Sequence, residues 1–272
     1  MRTRHLSPTT ADRFFAPAVI TAPKLLALLA AIWWLALAHS ALQAADVVVP
    51  RAIQAIVDSP DRSDADRGTD QRRQSVKLLA FFGVKPEMAV LDMGTGGGYT
   101  TELLARAVGS RGSVVAQNDT FIFEKYLKET PDPRFRTSVM KNVKHVARPY
   151  DDPIPPGAGP FDLITSIFVY HDTEWLGRDR QEMNKKYFNS LKPGGHIVIV
   201  DHAGNLGSGA SQSQTLHRIE ESVVRSELEA AGFELVGEAQ FLRNPDDPGD
   251  KSFREASVPV DQFVIKYRKP VR

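Results

Sequence analysis

The sequence predicts an α/β fold, a doubly wound and mostly parallel seven-stranded sheet with an antiparallel strand near the C-terminus and helices on both faces. Three observations predict it. From Leu78 onward short apolar runs alternate with helical patterns, as in strand-helix-strand units. One run, Ala89–Met93, breaks into glycines at Gly94, Gly96, Gly97 and Gly98. Another, residues 197–201, directly follows the helix stop Leu191-Lys192-Pro193-Gly194-Gly195.

Each element follows from its own pattern. The first strand ends in a loop so rich in glycine that a ligand can lie against bare backbone before a helix begins near Tyr99. That helix, Tyr99–Val108, sets Leu103, Leu104, Ala107 and Val108 on one face. Residues 114–117 form the second strand, 145–147 a weak third and 161–169 the fourth. A helix carrying Met183, Tyr187, Phe188 and Leu191 at three- and four-residue spacings comes next. After the fifth strand, Leu216, Ile219, Val223 and Leu228 mark one helix, ended by Ala231-Gly232-Phe233. Residues 233–241 and 262–267 are the last strands, joined by the Pro- and Asp-rich stretch 244–250. There is no internal repeat, and residues 78–272 make one domain.

The glycine spacing discriminates between cofactors. A dinucleotide loop needs G-x-G-x-x-G, and its third glycine position here holds bulky Tyr99, which disfavours an NAD-dependent reductase. The spacing acid-x-G-x-G-x-G is filled by Asp92, Gly94, Gly96 and Gly98, and it resembles motif I of the class I S-adenosylmethionine-dependent methyltransferases, a Rossmann-like family. The Leu191 to Gly195 stop resembles the turn before strand five of that family, and Phe161-Asp162-Leu163-Ile164 the start of its strand four. With the leader described below, Phe81-Phe82-Gly83-Val84-Lys85-Pro86 and Tyr170-His171-Asp172 resemble a group of predicted exported bacterial methyltransferases of unassigned substrate.

The resemblance implies S-adenosylmethionine as cofactor and places its ligands at the carboxyl ends of the strands. Asp92, Gly94, Thr95, Gly96 and Gly98 would let the methionine and ribose portions approach bare backbone. After strand two the family pattern has an acid for the ribose hydroxyls, where this chain has Gln117 and Asn118, with Asp119 one step on. An amide oxygen accepts such a bond without the bidentate capacity of a carboxylate. After strand three, Tyr150-Asp151-Asp152 resembles the stretch whose carboxylate receives the adenine amino group, assigning Asp151 or Asp152. Phe121 and Phe123 are candidates to line the adenine or to pack in the core.

Two His-Asp pairings, His171-Asp172 after strand four and Asp201-His202 after strand five, converge where the methyl group would lie. An oxygen or nitrogen acceptor must shed a proton, and a neutral imidazole near pH 7 takes it. His171 is the first candidate base, with Asp172 beside it, His202 the second and His217 the third. Asp172, Asp201 and His202 also offer a divalent-ion alternative that would orient a catechol-like diol. No single element carries metal-ligand spacing, so the reading includes no metal. The expected reaction is methyl transfer to an O or N atom of a small-molecule acceptor. The other function class is a non-catalytic exported binding module on the same scaffold.

Composition bounds the rest. The 272 residues are 42% hydrophobic and 25% charged, ample for one core. The absence of cysteine removes disulfides, zinc-thiolate sites and thiol nucleophiles. Residues 1–45 read as a secretory signal peptide: Arg2, Arg4, Arg13 and Lys24 precede the apolar stretch 25–38, and small residues lead to Ala44. This implies a periplasmic location, with an uncleaved inner-membrane anchor as the alternative and membrane contact through that segment alone. Without residues 1–44 the formal charge of +1 becomes about −2, which leaves nucleic-acid binding without its electrostatic basis. Lys266, Arg268, Lys269 and Arg272 read as a solvated chain end. Residues 46–77, crowded with Asp and Arg, are a polar arm or lid.

Overall fold

The computed structural model describes residues 47–129 and 133–271. The signal-peptide or anchor reading of residues 1–45 lies outside them. Among the described residues no helix is long and apolar enough to cross a membrane.

Three helices precede the sheet: α1 (Arg51–Val57), α2 (Asp64–Arg73) and α3 (Ser75–Phe82). The charge-rich sequence of α2 forms a helix because its ends are set correctly. Ser63 Oγ accepts from Asp66 N at the start, Asp64 and Asp66 fill the first turn, and Arg72 and Arg73 the last. These charges are not all on a solvated face. Arg62 is buried and pairs with Asp70 at 2.7 Å, Arg134 holds Asp66 at 2.9 Å and also Glu102, and Arg106 joins Asp61 to Glu102 at 2.8 Å each.

The sheet is built from β1 (Ala89–Met93), β2 (Ser113–Asn118), β3 (Val143–Ala147), β4 (Phe161–Ile167), β5 (Leu191–His202), β6 (Glu234–Ala239) and β7 (Gln262–Arg268). Their order is β3-β2-β1-β4-β5-β7-β6, with β7 antiparallel to both its neighbours. Helices α4 (Tyr99–Val108), α5 (Asp172–Trp175), α6 (Arg180–Ser190), α7 (Ser213–Leu216) and α8 (Glu221–Ala230) alternate with the strands. The doubly wound fold is therefore as the sequence predicts. Period-two alternation in β5 shows both faces buried: Ile197 and Ile199 join the core with Tyr187 and Leu228, Val198 and Val200 the core with Leu79 and Leu104.

Three local expectations are corrected. The Leu191 to Gly195 stretch is a bulge inside β5, not a turn before it: pairing jumps from Phe161 with Leu191 to Leu163 with His196, and Gly194 N donates to Lys269 O at 2.9 Å. Strand four ends at Ile167 because Phe168 takes a left-handed φ of 58°. The single helix across Leu216 to Leu228 is two, broken at His217 (φ 54°). Its apolar spacing is real, yet the fully buried Arg218 donates to Asp247, Ala203 O and Lys251 O, and Ile219 bridges to Ala203. A charge that needs those acceptors outweighs one more helical turn.

His196 on β5 gives the fold a pH dependence. Burial, reinforced by Lys266, Arg268 and Lys85, pushes its imidazole down to about 4. The folded state binds this proton less readily than the unfolded chain, whose pKa is about 6.5. Its contribution is therefore present above pH 6.5 and lost as pH falls towards 4. His196→Gln should flatten stability against pH in that window, as read by urea melts at pH 7 and pH 5; an unchanged slope would count against the assignment.

Candidate active site

The glycine loop joins β1 to α4 on a backbone that side chains resist. Gly94 and Gly96 have φ of 62° and 53°. A Cβ on Gly94 would lie 2.1 Å from Val169 Cγ1, whereas one on Gly96 meets nothing within 4 Å. Gly96 therefore borders open space, while Gly98 is faced by Phe135, 2.8 Å from where its Cβ would stand. Asp92 supports the loop from beneath: it is buried, with its carboxylate oxygens accepting from Thr101 at 2.6 Å and Thr165 at 2.7 Å. Burial pushes its pKa up to about 6 against those bonds.

At the end of β2 the amides serve the loop itself. Asn118 Oδ1 accepts from Gly96 N at 2.9 Å, and its Nδ2 reaches Thr95 Oγ1 at 3.0 Å and His145 Nε2 at 2.9 Å. Asp119 is fully buried and occupied by Arg178 (2.8 and 2.9 Å), Phe121 N and Tyr150 N. Gln117 donates to Arg148 O at 2.5 Å, and its buried Oε1 has no donor among the described residues. Asp152 lies on the half-exposed outside, held below the usual carboxylate range by Lys186 and by Arg148, and Asp151 accepts from Asp179 N. Phe121 meets Trp175 edge-on and Phe123 meets His145.

The histidines and acids do come together. A cavity of about 890 Å³ lies at the carboxyl ends of β4 and β5, with His171, Asp172, His202 and His217 in its wall, beside the rings of Phe168, Trp175 and Phe253. Neither the glycine loop nor Asp151 and Asp152 line it. Asp201, fully buried, accepts from His171 N at 2.9 Å and His202 N at 2.8 Å, and its Oδ1 holds His171 Nδ1 at 2.6 Å. Nδ1 therefore carries the hydrogen, and Nε2 faces Asp172 Oδ1 at 3.2 Å. His202 stacks on Phe168 at 4.7 Å, and its Nδ1 donates to His217 O at 3.0 Å.

These surroundings reverse the order of candidate bases. Burial disfavours the charge on His171, but Asp201 and Asp172 outweigh it and push the imidazole up to about 10. Burial of His202 prevails over Asp201 and pushes that ring down to about 4. Asp172 sits well below the carboxylate range: hydrogen bonds from His171, His217 and Trp175 overcome its burial. At neutral pH His171 is an imidazolium, whereas His202 is the neutral imidazole that the sequence argument asks of a base.

Sequence reasoning missed Arg73. Its guanidinium packs over the rings of Tyr99 and Phe168, 5.1 Å from each, and lines the cavity. Its hydrogen bond is a long one to Thr100 Oγ1 at 3.4 Å, and no carboxylate lies within 4.0 Å among the described residues. Burial lowers its pKa from the ordinary value, the mark of a cation with too little compensation. Only its place at the end of a capped helix hinted at it.

A methyltransferase fold and a cavity bearing proton acceptors define a group-transfer enzyme. The chain belongs to the methyltransferase-domain family, which matches residues 68–238, and is a class I S-adenosylmethionine-dependent methyltransferase with that cofactor. The ubiquinone/menaquinone biosynthesis C-methyltransferase UbiE of Vibrio vulnificus (strain YJ016) is 29% identical over 120 residues, 44% of this chain and 43% of that protein. The protein of the same name from Vibrio cholerae (strain O395) is similar to the same extent. The chain thus spans less than half the length of these curated relatives.

Two solved structures share the fold. A SAM-dependent methyltransferase from Aquifex aeolicus is 22% identical with a TM-score of 0.51, covering 71% of this chain and 87% of that one. The N-methyltransferase NodS from Bradyrhizobium japonicum WM9 is 18% identical with a TM-score of 0.51, covering 76% and 98%.

The residues fit the cofactor. It needs bare backbone, an acceptor for adenine or ribose donors, and a cation for its carboxylate. Among the described residues the protein offers the open face of Gly96, Gln117 Oε1 without a donor and Arg73 without a carboxylate within 4.0 Å.

Proposed function

We propose that the enzyme methylates an oxygen or nitrogen atom of a planar small molecule seated in the 890 Å³ cavity, with His202 taking the acceptor's proton. The observation that carries this reading is a neutral, cavity-lining imidazole among aromatic walls at the ends of β4 and β5. S-adenosylmethionine, when bound, supplies an electrophilic methyl group on a sulfonium. Phe168, Trp175 and Phe253 exclude water and hold the acceptor's ring. The proton that the acceptor sheds on methylation would go to His202 Nε2, whose Nδ1 is already committed to His217 O. Arg73 takes the methionine carboxylate. The Vibrio relatives are C-methyltransferases of ubiquinone/menaquinone biosynthesis, which supports a ring-shaped acceptor. The signal-peptide reading of residues 1–45 supports a periplasmic site for this reaction, with an inner-membrane anchor as the alternative.

Calorimetry on the full-length protein tests this reading. Heat with both S-adenosylmethionine and S-adenosylhomocysteine supports it; heat with NAD alone, or none with any of the three, overturns it. Arg73→Met should weaken S-adenosylhomocysteine about 10- to 100-fold, the value of a charge-assisted hydrogen bond. Methylthioadenosine, which lacks the amino-acid part, should bind both forms alike. Equal losses for the two ligands would remove Arg73 from the carboxylate.

A further inference from the structure

The same wall of the cavity holds an arrangement that proton transfer does not require. We propose that His171 Nε2, Asp172 Oδ1 and His217 Nδ1 form a binding site for a divalent first-row metal ion, which holds an oxygen of the methyl acceptor. This rests on the methyl-transfer reading and deepens it by naming the acceptor class, a molecule with adjacent oxygen donors.

The geometry carries it. The three ligand atoms lie within 4.8 Å of one another, Asp172 Oδ1 being 3.2 Å from His171 Nε2 and 3.7 Å from His217 Nδ1. Metal-ligand bonds of about 2.1 Å set neighbouring ligands about 3.0–3.4 Å apart, so a small closure of the His217 ring completes the site. Two histidines and one carboxylate on one side of an ion leave its other positions open, and here those positions face the cavity. Asp201 plays the outer part: its 2.6 Å hydrogen bond to His171 Nδ1 fixes the ring and directs Nε2 inward. His217 is held at φ 54°, a strained backbone that aims its ring at Asp172.

Charge points the same way. Among the described residues neither Asp172 nor Asp201 has a lysine or arginine within 4.0 Å; their ion-pair partners are imidazoles. Two largely buried carboxylates are balanced by one divalent ion once it replaces the hydrogen on His171 Nε2. The alternative trio of His171, Asp201 and His202 is set aside, because Asp201 is fully buried and does not line the cavity, whereas Asp172 does.

The test is a titration of the chelator-stripped, full-length protein with Co²⁺ in the absence of S-adenosylmethionine, followed by visible absorption and by heat. One equivalent should bind with the ligand-field bands of nitrogen and oxygen ligation. His217→Gln and Asp172→Asn should abolish those bands, and Asp201→Asn should weaken binding about 10- to 100-fold. No uptake by the wild type overturns the site. Wild-type bands in a His217→Gln protein that keeps its melting temperature also overturn it, as an adventitious ion only. Should the variants fail to fold, Mn²⁺ added to the wild type should broaden the imidazole resonances of His171 and His217, and unbroadened signals refute the site. S-adenosylhomocysteine calorimetry on the stripped protein separates this failure from that of the methyltransferase reading.

Discussion

Gly96→Val is expected to abolish binding of S-adenosylmethionine, a loss beyond about 100-fold or about 3 kcal/mol. The branched side chain would fill a loop position whose Cβ direction is open, whereas Gly94 and Gly98 are already faced by Val169 and Phe135. It would also strain the fold, because a φ of 53° costs a β-branched residue about 1–3 kcal/mol. Gly109→Val separates the two effects. Gly109 has φ 67° and open space too, but it caps the far end of α4, so its valine should bring comparable strain and leave cofactor affinity intact. Calorimetry beside urea denaturation reads both. Wild-type affinity in the Gly96 variant would mean that the pocket lies elsewhere.

Arg218→Met should destabilise the protein by about 3–5 kcal/mol, because it leaves Asp247 buried without its cation. Arg218 is fully buried and donates to Asp247 at 2.7 and 3.1 Å, to Ala203 O and to Lys251 O. Asp247 in turn accepts from Asp261 N at 2.6 Å and Gly249 N at 3.1 Å. The pair fastens the chain after β5 to the long connection between β6 and β7, segments that supply His217, Phe253 and Val260 to the cavity. Arg218→Met with Asp247→Leu should recover part of the loss, since an apolar pair needs no compensation. A single-variant cost below about 1 kcal/mol in urea melts would refute the assignment.

Local pattern was legible where one physical term dominates. Apolar runs and glycine punctuation located all seven strands, and α4 occupies the residues its one-sided apolar face indicates. The pattern misled where a distant partner decides. Leu216 to Leu228 has helical spacing, yet Arg218 seeks acceptors up to 33 residues away and breaks the helix. Helix α2 lacks an apolar stripe, so residues 46–77 read only as a polar arm or lid; Ser63 and the charges at its ends are the local features that favour the helix. The ion pairs of its Asp66 with Arg134 and Asp70 with Arg62, and those that Asp61 and Arg62 make with α4, could not be read from a list of alternating charges.

The candidate site divides along the same line. The convergence of His171, Asp172 and His202 followed from strand order, because residues after neighbouring parallel strands must emerge at one edge. Their protonation did not: Asp201 points at His171 Nδ1 and a backbone carbonyl at His202 Nδ1, so adjacent imidazoles shift in opposite directions. Asn118 likewise stands where a ribose ligand is expected and spends its amide on the loop.

By itself the sequence determined the class of this protein: the fold, the cofactor loop and the edge of the sheet where chemistry occurs. Those depend on periodicity and on backbone that only glycine tolerates, both properties of neighbouring residues. Tertiary structure alone decided which histidine is neutral, which carboxylates are paired with imidazoles rather than with lysine or arginine, and which arginine has no described carboxylate within 4.0 Å. Those depend on distances between residues far apart in the chain and on how much water is left around them, and both arise only when the sheet has closed.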